Sequence, residues 1–332
     1  MKKILVTGAG GFIGSHVVEA AISQGFNVRA MVHYNSSSTR GWLGELPASK
    51  LEEVEVVSGD IRDKDFVDWS MRGVEGVLHL AALIGIPYSY VSPASYVQTN
   101  IVGSLNVFQA ARDFGIERVV HTSTSEVYGT ALYAPIDESH PLQGQSPYSA
   151  TKIAADQLAL SFWRSFGTPI VVLRPFNTFG PRQSLRAVVP TIITQILQGK
   201  NEIQLGSVTP TRDLTYVDDT ADAFISALQS PNLDGETIQL GTGFEISIGD
   251  LVLLVAEVMN ADVSVATDAS RTRPAKSEVE RLLSTPEKAK EHLGWTAELS
   301  GRDGLKLGIQ KTVAWLQTRM GQDQAQWEGY HV

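Results

Sequence analysis

The run Ile4-Leu5-Val6-Thr7-Gly8-Ala9-Gly10-Gly11-Phe12-Ile13-Gly14-Ser15-His16 limits what this chain can fold into more than any other stretch. Ile4 to Val6 read as a short buried strand, the glycines as a tight turn, and the residues through about Ser23 as a helix. Glycines at 8, 11 and 14 form G-x-x-G-x-x-G. Their missing side chains permit the turn, let the backbone approach a pyrophosphate, and let the helix pack on the strand. The helix N-terminus then faces the negative charge. The context predicts a dinucleotide site with Gly8, Gly11, Phe12, Ile13 and Gly14 against the cofactor. A purely structural turn is the plainer reading of the glycines alone.

Further strand-like runs follow at Phe26–Val32, Val54–Ile61, Gly76–Ala82, Val119-Val120 and Pro169–Leu173, with helical stretches between them. Such alternation predicts an α/β chain with a Rossmann-like, doubly wound parallel sheet and ligands at the strand C-terminal ends. A dinucleotide fold usually places an acid after its second strand to hold the adenosine ribose. No Asp or Glu occurs here between Glu19 and Glu45, and His33, Asn35, Ser36 and Arg40 occupy the place. Hydroxyl and amide groups suit a free ribose and Arg40 suits a 2′-phosphate, so NAD and NADP both remain open. Asp60 and Ile61 end the third strand where an adenine edge would lie, although Asp60 also reads as an ordinary N-cap. Ala81 and Ala82 are small enough for close cofactor passage, and Leu80 and, from the helical stretch Tyr96–Phe114, Thr99 join them as cofactor contacts. An aromatic loop, Ile84 to Pro93, offers Pro87 and Tyr88 to a sugar pocket, or is simply packed.

The chemistry concentrates between Thr122 and Lys152. Tyr148 and Lys152 are four residues apart and share one face of a helix. An ammonium beside a phenol favours the phenolate and makes it a general base. Y-x-x-x-K also occurs by chance in many helices, so its context matters. Upstream, Ser123-Thr124-Ser125-Glu126-Val127-Tyr128-Gly129 adds hydroxyls and one carboxylate, Glu126, at a strand end. Two bases in one cleft suggest two proton transfers.

Beyond Arg174 the alternation gives way to turns, a helix from about Val189 to Gln198, and the basic points Arg182, Arg186, Arg212 and Arg273. These predict a smaller C-terminal lobe closing over a phosphate-bearing substrate, since guanidinium forks match phosphate oxygens. Each arginine alone reads more plainly as a surface charge. The expected division assigns 1–174 and about 213–240 to the dinucleotide domain and about 175–212 and 241–320 to the substrate lobe. A last amphipathic helix is expected from about Gly304 to Thr318, and 321–332 as a tail. A net charge of −9 argues against nucleic acid, and the absence of cysteine excludes thiolate metal sites and cysteine nucleophiles. The seven histidines show no metal-ligand spacing. Apolar runs are too short for a membrane span, and the expected location is cytoplasmic.

Taken together, Gly8/Gly11/Gly14, Asp60, Tyr148/Lys152, Arg174-Pro175-x-Asn177-x-x-Gly180-Pro181-Arg182 and Arg212-Asp213-x-x-Tyr216-Val217-Asp218-Asp219 resemble the extended short-chain dehydrogenase/reductase family acting on sugar nucleotides. The resemblance implies Thr124, Tyr148 and Lys152 as catalytic groups. It also implies a nicotinamide cofactor bound tightly and recycled, and a homodimer built through helices around Tyr96–Phe114 and Tyr148–Phe166. Thr124-Ser125-Glu126 is similar to the GDP-mannose 4,6-dehydratase type, which implies Glu126 as the base at C5, with Ser125 or Glu126 assisting water loss. Ala82–Tyr90 and Pro141–Ser149 look most like the 4,6-dehydratases of legionaminic-acid pathways, acting on GDP- or UDP-N-acetylglucosamine. By the same resemblance Pro87, Tyr88, Glu126, Asn177, Arg186, Arg212 and Arg273 meet the substrate. A 4- or C5-epimerase, a reductase consuming free NAD(P)H, and a non-catalytic dinucleotide sensor are the alternatives.

Overall fold

The computed structural model describes residues 2–320; the expected tail, 321–332, lies outside them. Strands are numbered along the chain. A seven-stranded sheet runs in the order β10-β6-β5-β4-β1-β2-β3. Its members are β1 (Lys3–Thr7), β2 (Asn27–His33), β3 (Val54–Gly59), β4 (Gly76–His79), β5 (Arg118–Thr122), β6 (Ile170–Pro175) and β10 (Thr237–Leu240). Every neighbouring pair is parallel. β4 and β6 are buried at every position, because helices cover both faces and no polar alternation is needed. The chain steps outward from β1 to β2 and β3, then returns to the other side of β1 as β4. That reversal opens a crevice at the C-terminal ends of β1 and β4.

A smaller sheet centres on β9 (Thr211–Tyr216), flanked by β11 (Glu245–Ser247) and β13 (Arg281–Leu282), with β7 (Asn177–Phe179) also paired to β9. β8 (Glu202–Leu205) and β12 (Ser264–Thr267) form a two-stranded ribbon. The helices Val188–Leu197, Ile248–Met259 and Gly301–Met320 close over a separate apolar core that includes Ile192, Leu214, Leu251 and Ile309. The chain re-enters the large sheet through the helix Val217–Gln229 and β10. β9 thus belongs to the smaller sheet through Tyr216, a few residues beyond the expected crossing near 213.

Two expected elements differ. The stretch Tyr96–Phe114 is not one regular α-helix: a π-helical segment, Val97–Val102, precedes the α-helix Gly103–Asp113. The extra residue per turn carries Asn100 inward, where its Oδ1 accepts Leu83 N–H at 2.8 Å and its Nδ2 donates to Leu83 O at 2.9 Å and Thr151 Oγ1 at 3.0 Å. Such a local exchange of hydrogen bonds leaves little trace in apolar periodicity. The loop expected from Ile84 to Pro93 contains a helix, Ile86–Val91, because Pro87 sits in its first turn, where a missing N–H costs nothing.

Candidate active site

The crevice begins where β1 and β4 end. Thr7 Oγ1 accepts Leu80 N–H and Ala81 N–H, each at 3.1 Å, and lies 2.8 Å from His79 Nδ1. His79 Nε2 is 3.0 Å from Ser104 Oγ, whose hydroxyl donates to Asn100 O at 2.6 Å. Thr7 therefore donates to Nδ1, and Nε2–H donates to Ser104. Burial holds the His79 imidazole well below its usual range, so this ring is neutral. The stitching brings the two strand ends so close that a Cβ on Gly8 would lie 2.8 Å from Ala81 N, and Gly8 itself has φ +68°. A Cβ on Gly14 would lie 2.2 Å from Gly8 O.

These glycines form a cradle at the N-terminus of the helix Phe12–Ser23, as a bound pyrophosphate needs. The residues present thus fit a dinucleotide. Gly14→Ala is expected to push the turn apart, lose bound nicotinamide cofactor and cost about 1–3 kcal/mol of stability. Cofactor content after gel filtration and a thermal melt check both.

The crevice continues as a cavity of about 1110 Å³. Gly8, Gly11, Phe12, Ile13, Gly14, His33, Asn35, Asp60, Ile61, Leu80, Ala81, Ala82 and Thr99 line it, whereas Ser36 does not. Asn35 is already committed to its own loop, accepting Thr39 N–H at 3.1 Å and donating to Thr39 O at 3.0 Å. Both oxygens of Asp60 are held by Arg62, at 3.0 and 2.5 Å, which keeps the carboxyl below its usual range.

At the other end, β5 leads into the 3-10 turn Ser125–Tyr128, capped by Thr124, whose Oγ1 accepts Glu126 N–H at 3.2 Å. The helix Pro147–Phe166 starts at a capping box made by Ser146 and Ser149, with a proline in the first turn. Its first turns bring Tyr148 and Lys152 to the cavity wall beside Thr124, Ser125 and Glu126. Lys152 Nζ donates to Thr122 O at 2.5 Å, and burial lowers its pKa to about 8. Burial also pushes the Tyr148 phenol well above its usual range, opposed by a hydrogen bond with Thr124. The Lys152 ammonium is directed at a backbone carbonyl on β5.

The smaller lobe supplies the facing wall. Arg212 is buried, donating to Thr211 O at 2.9 Å and to Glu278 Oε1 at 3.3 Å; Arg273 lies 3.6 Å from the same oxygen. Asp213 locks this strand in place by accepting Ser284 Oγ–H at 2.5 Å and Thr242 Oγ–H at 2.7 Å. Pro87, Tyr88, Asn177, Arg186, Arg212 and Arg273 all reach the cavity. Asn177 Oδ1 is buried without a hydrogen-bond partner among the described residues. Arg182, one of the basic points in the sequence, is elsewhere: it donates to Glu19 at 2.6 Å and Ser15 at 3.2 Å, clasping the first helix. Arg271 and Glu278 line the cavity without having been singled out in the sequence, where nothing in their surroundings marks them. Among the described residues no His/Cys/Asp/Glu group is arranged to hold a metal, and no helix is long and apolar enough to cross a membrane.

Comparison with known proteins decides the family. A family model described as GDP-mannose 4,6 dehydratase matches residues 5–307. The chain belongs to that family. Its members here are nicotinamide-dependent enzymes of nucleotide sugars, of the extended short-chain dehydrogenase/reductase type, and divide between dehydratases and epimerases. The chain is 32% identical to a putative UDP-glucose 4-epimerase of Methanocaldococcus jannaschii, over 94% of this chain and 98% of that one. It superposes with a TM-score of 0.85 and 31% identity on the UDP-N-acetylglucosamine 4-epimerase of Methanobrevibacter ruminantium M1 solved with UDP-N-acetylmuramic acid, covering 96% and 99% of the two chains. A double mutant of DesIV, the dTDP-glucose 4,6-dehydratase of Streptomyces venezuelae, solved with NAD, gives 0.84 at 28% identity, covering 96% and 98%.

Proposed function

We propose that this member of the family is a nucleotide-sugar 4,6-dehydratase, acting on GDP- or UDP-N-acetylglucosamine in bacterial surface-sugar synthesis of the legionaminic type. The observation that carries the reading is Glu126, a carboxylate only 8% exposed, on the cavity wall with Thr124 and Tyr148. An epimerase that only swings a 4-keto sugar has no use for a second base there. A dehydratase does, because it must remove the C5 proton.

In this reading the turn carrying Gly8, Gly11 and Gly14 holds the pyrophosphate of NAD or NADP, and Arg186, Arg212 and Arg273 hold the diphosphate of the substrate. When bound there, a nicotinamide would supply the hydride acceptor for C4 and, in its reduced form, the hydride donor for C6, and so would be recycled. Tyr148, as the phenolate, accepts the 4-hydroxyl proton with Thr124 hydrogen-bonded to it, and the Lys152 ammonium stabilises that phenolate before the transfer. The new 4-keto group acidifies C5–H. Glu126 takes that proton, and the 6-hydroxyl departs as water on a proton from Ser125 or the protonated Glu126. As hydride reaches C6, a proton exchanged with solvent is returned to C5, and the product is a 4-keto-6-deoxy sugar nucleotide, lighter than the substrate by one water.

A 4-epimerase is the second reading, favoured by the names of two of the similar proteins. Product mass in deuterium oxide separates them, with UDP- and GDP-N-acetylglucosamine offered separately and no cofactor added. Loss of water with deuterium at C5 supports the dehydratase and names the nucleotide; unchanged mass with an inverted centre overturns it. The reading includes a homodimer, supported by the exposed Val97 and Phe166 on the two helical stretches named for it. Sedimentation is expected to give twice the chain mass of 36.0 kDa.

A further inference from the structure

The stripe of Tyr148 and Lys152 continues one turn further to Asp156 on the helix Pro147–Phe166. Asp156 is fully buried and lies behind the cavity wall rather than in it. Its Oδ2 accepts Ser123 Oγ–H at 2.7 Å and Arg174 Nε–H at 3.1 Å, and its Oδ1 lies 3.4 Å from His121 Nε2. Ser123 immediately precedes Thr124-Ser125-Glu126. Arg174, near the end of β6, stands just before cavity-lining Asn177, and its Nη1 donates to Tyr128 O–H at 3.2 Å. One carboxylate thus ties together the helix bearing Tyr148 and Lys152, the turn bearing Glu126, and the strand end leading to Asn177.

The charged and titratable groups facing Lys152 are few. Tyr148 and Asp156 share its helix, His121 lies on β5, His79 on β4 and Arg174 on β6, while Glu126 lines the same cavity wall. Burial lowers both histidines and favours their neutral forms. Arg174 is a second cation. Asp156 is therefore the negative charge that the described residues place behind Lys152.

Resting on the reading of this site as one that oxidises C4 of a nucleotide sugar, we propose that Asp156 is a positioning residue. It keeps the three carriers of the site in register and places a negative charge one helical turn behind Lys152. Its charge indeed raises the proton affinity of Lys152 against the larger effect of burial.

The test uses the full chain with its bound cofactor. Single-turnover reduction of the nicotinamide is followed against pH, and the Lys152 ammonium is titrated by NMR with isotope-labelled lysine. Removing the anion favours neutral Lys152, so in Asp156→Asn the high-pH limb and the Lys152 titration move to lower pH by about one unit. Asp156→Glu restores both. Ser123→Ala keeps the charge but removes one tether, so hydride transfer slows several-fold and the limb stays in place. A limb unmoved in Asp156→Asn, or moved equally in Ser123→Ala, overturns the proposal. Should Asp156→Asn not fold, Ser123→Ala decides alone, and an unchanged rate refutes the tether. Wild type that reduces no cofactor with any nucleotide sugar sinks the functional reading instead, and the Lys152 titration, which needs no substrate, still decides on Asp156.

Discussion

Glu126→Gln is expected to lower dehydration by about a hundred- to ten-thousand-fold, the usual contribution of a positioned acid–base group. Deuterium exchange at C5 should fall with it, because the amide cannot accept that proton. Oxidation at C4 should survive, so a mixture of enzyme and substrate is expected to accumulate reduced cofactor and a 4-keto-6-hydroxy sugar. The variant should keep its fold. Glu126 takes part in the turn through its backbone N–H to Thr124, which glutamine retains. Full turnover by this variant would falsify the dehydratase reading, whereas a block at the keto stage assigns Glu126 to the second proton transfer.

Tyr148→Phe acts earlier. Without the phenol oxygen nothing on the cavity wall takes the 4-hydroxyl proton at the place Thr124 supports, and C4 oxidation is expected to fall by about a hundred- to ten-thousand-fold. This loss is common to a dehydratase and an epimerase, since both begin by oxidising C4. The pair of variants is therefore more informative than either alone: stopped-flow absorbance of reduced nicotinamide should vanish in Tyr148→Phe and persist in Glu126→Gln. Persistence in both would remove Tyr148 from the chemistry. The same measurement carries a pH dependence. The wild-type rate is expected to decline as pH rises through about 8, where Lys152 loses the charge that supports the phenolate.

The charges around these two residues show why sequence reading stopped short of them. Four-residue spacing predicts correctly that Tyr148 and Lys152 share a face, and it extends equally to Asp156, which was not singled out because a third polar residue on a buried face looks unremarkable in a string of letters. The direction of the lysine was not readable. Its ammonium reaches Thr122 O on β5, thirty residues earlier in the chain, a contact created only when the helix docks on the sheet. Arg182 and Arg212 make the same point. Both stand in motifs with phosphate-binding character, yet Arg182 clasps Glu19 on the first helix while Arg212 faces the cavity.

Local features were thus settled by the chain itself. The glycine turn, the capped start of the helix Pro147–Phe166 and the alternation of buried strands with helices follow from backbone freedom, capping and periodicity, each acting over a few residues. Only the tertiary structure decided the inward turn of Asn100 through a π-helical segment, the neutral His79 that stitches β1 to β4, the raised phenol of Tyr148, and which arginines reach the cavity. Those depend on desolvation and on charges brought together from distant segments, and their strength is fixed by burial and distance, which exist only once the chain has folded.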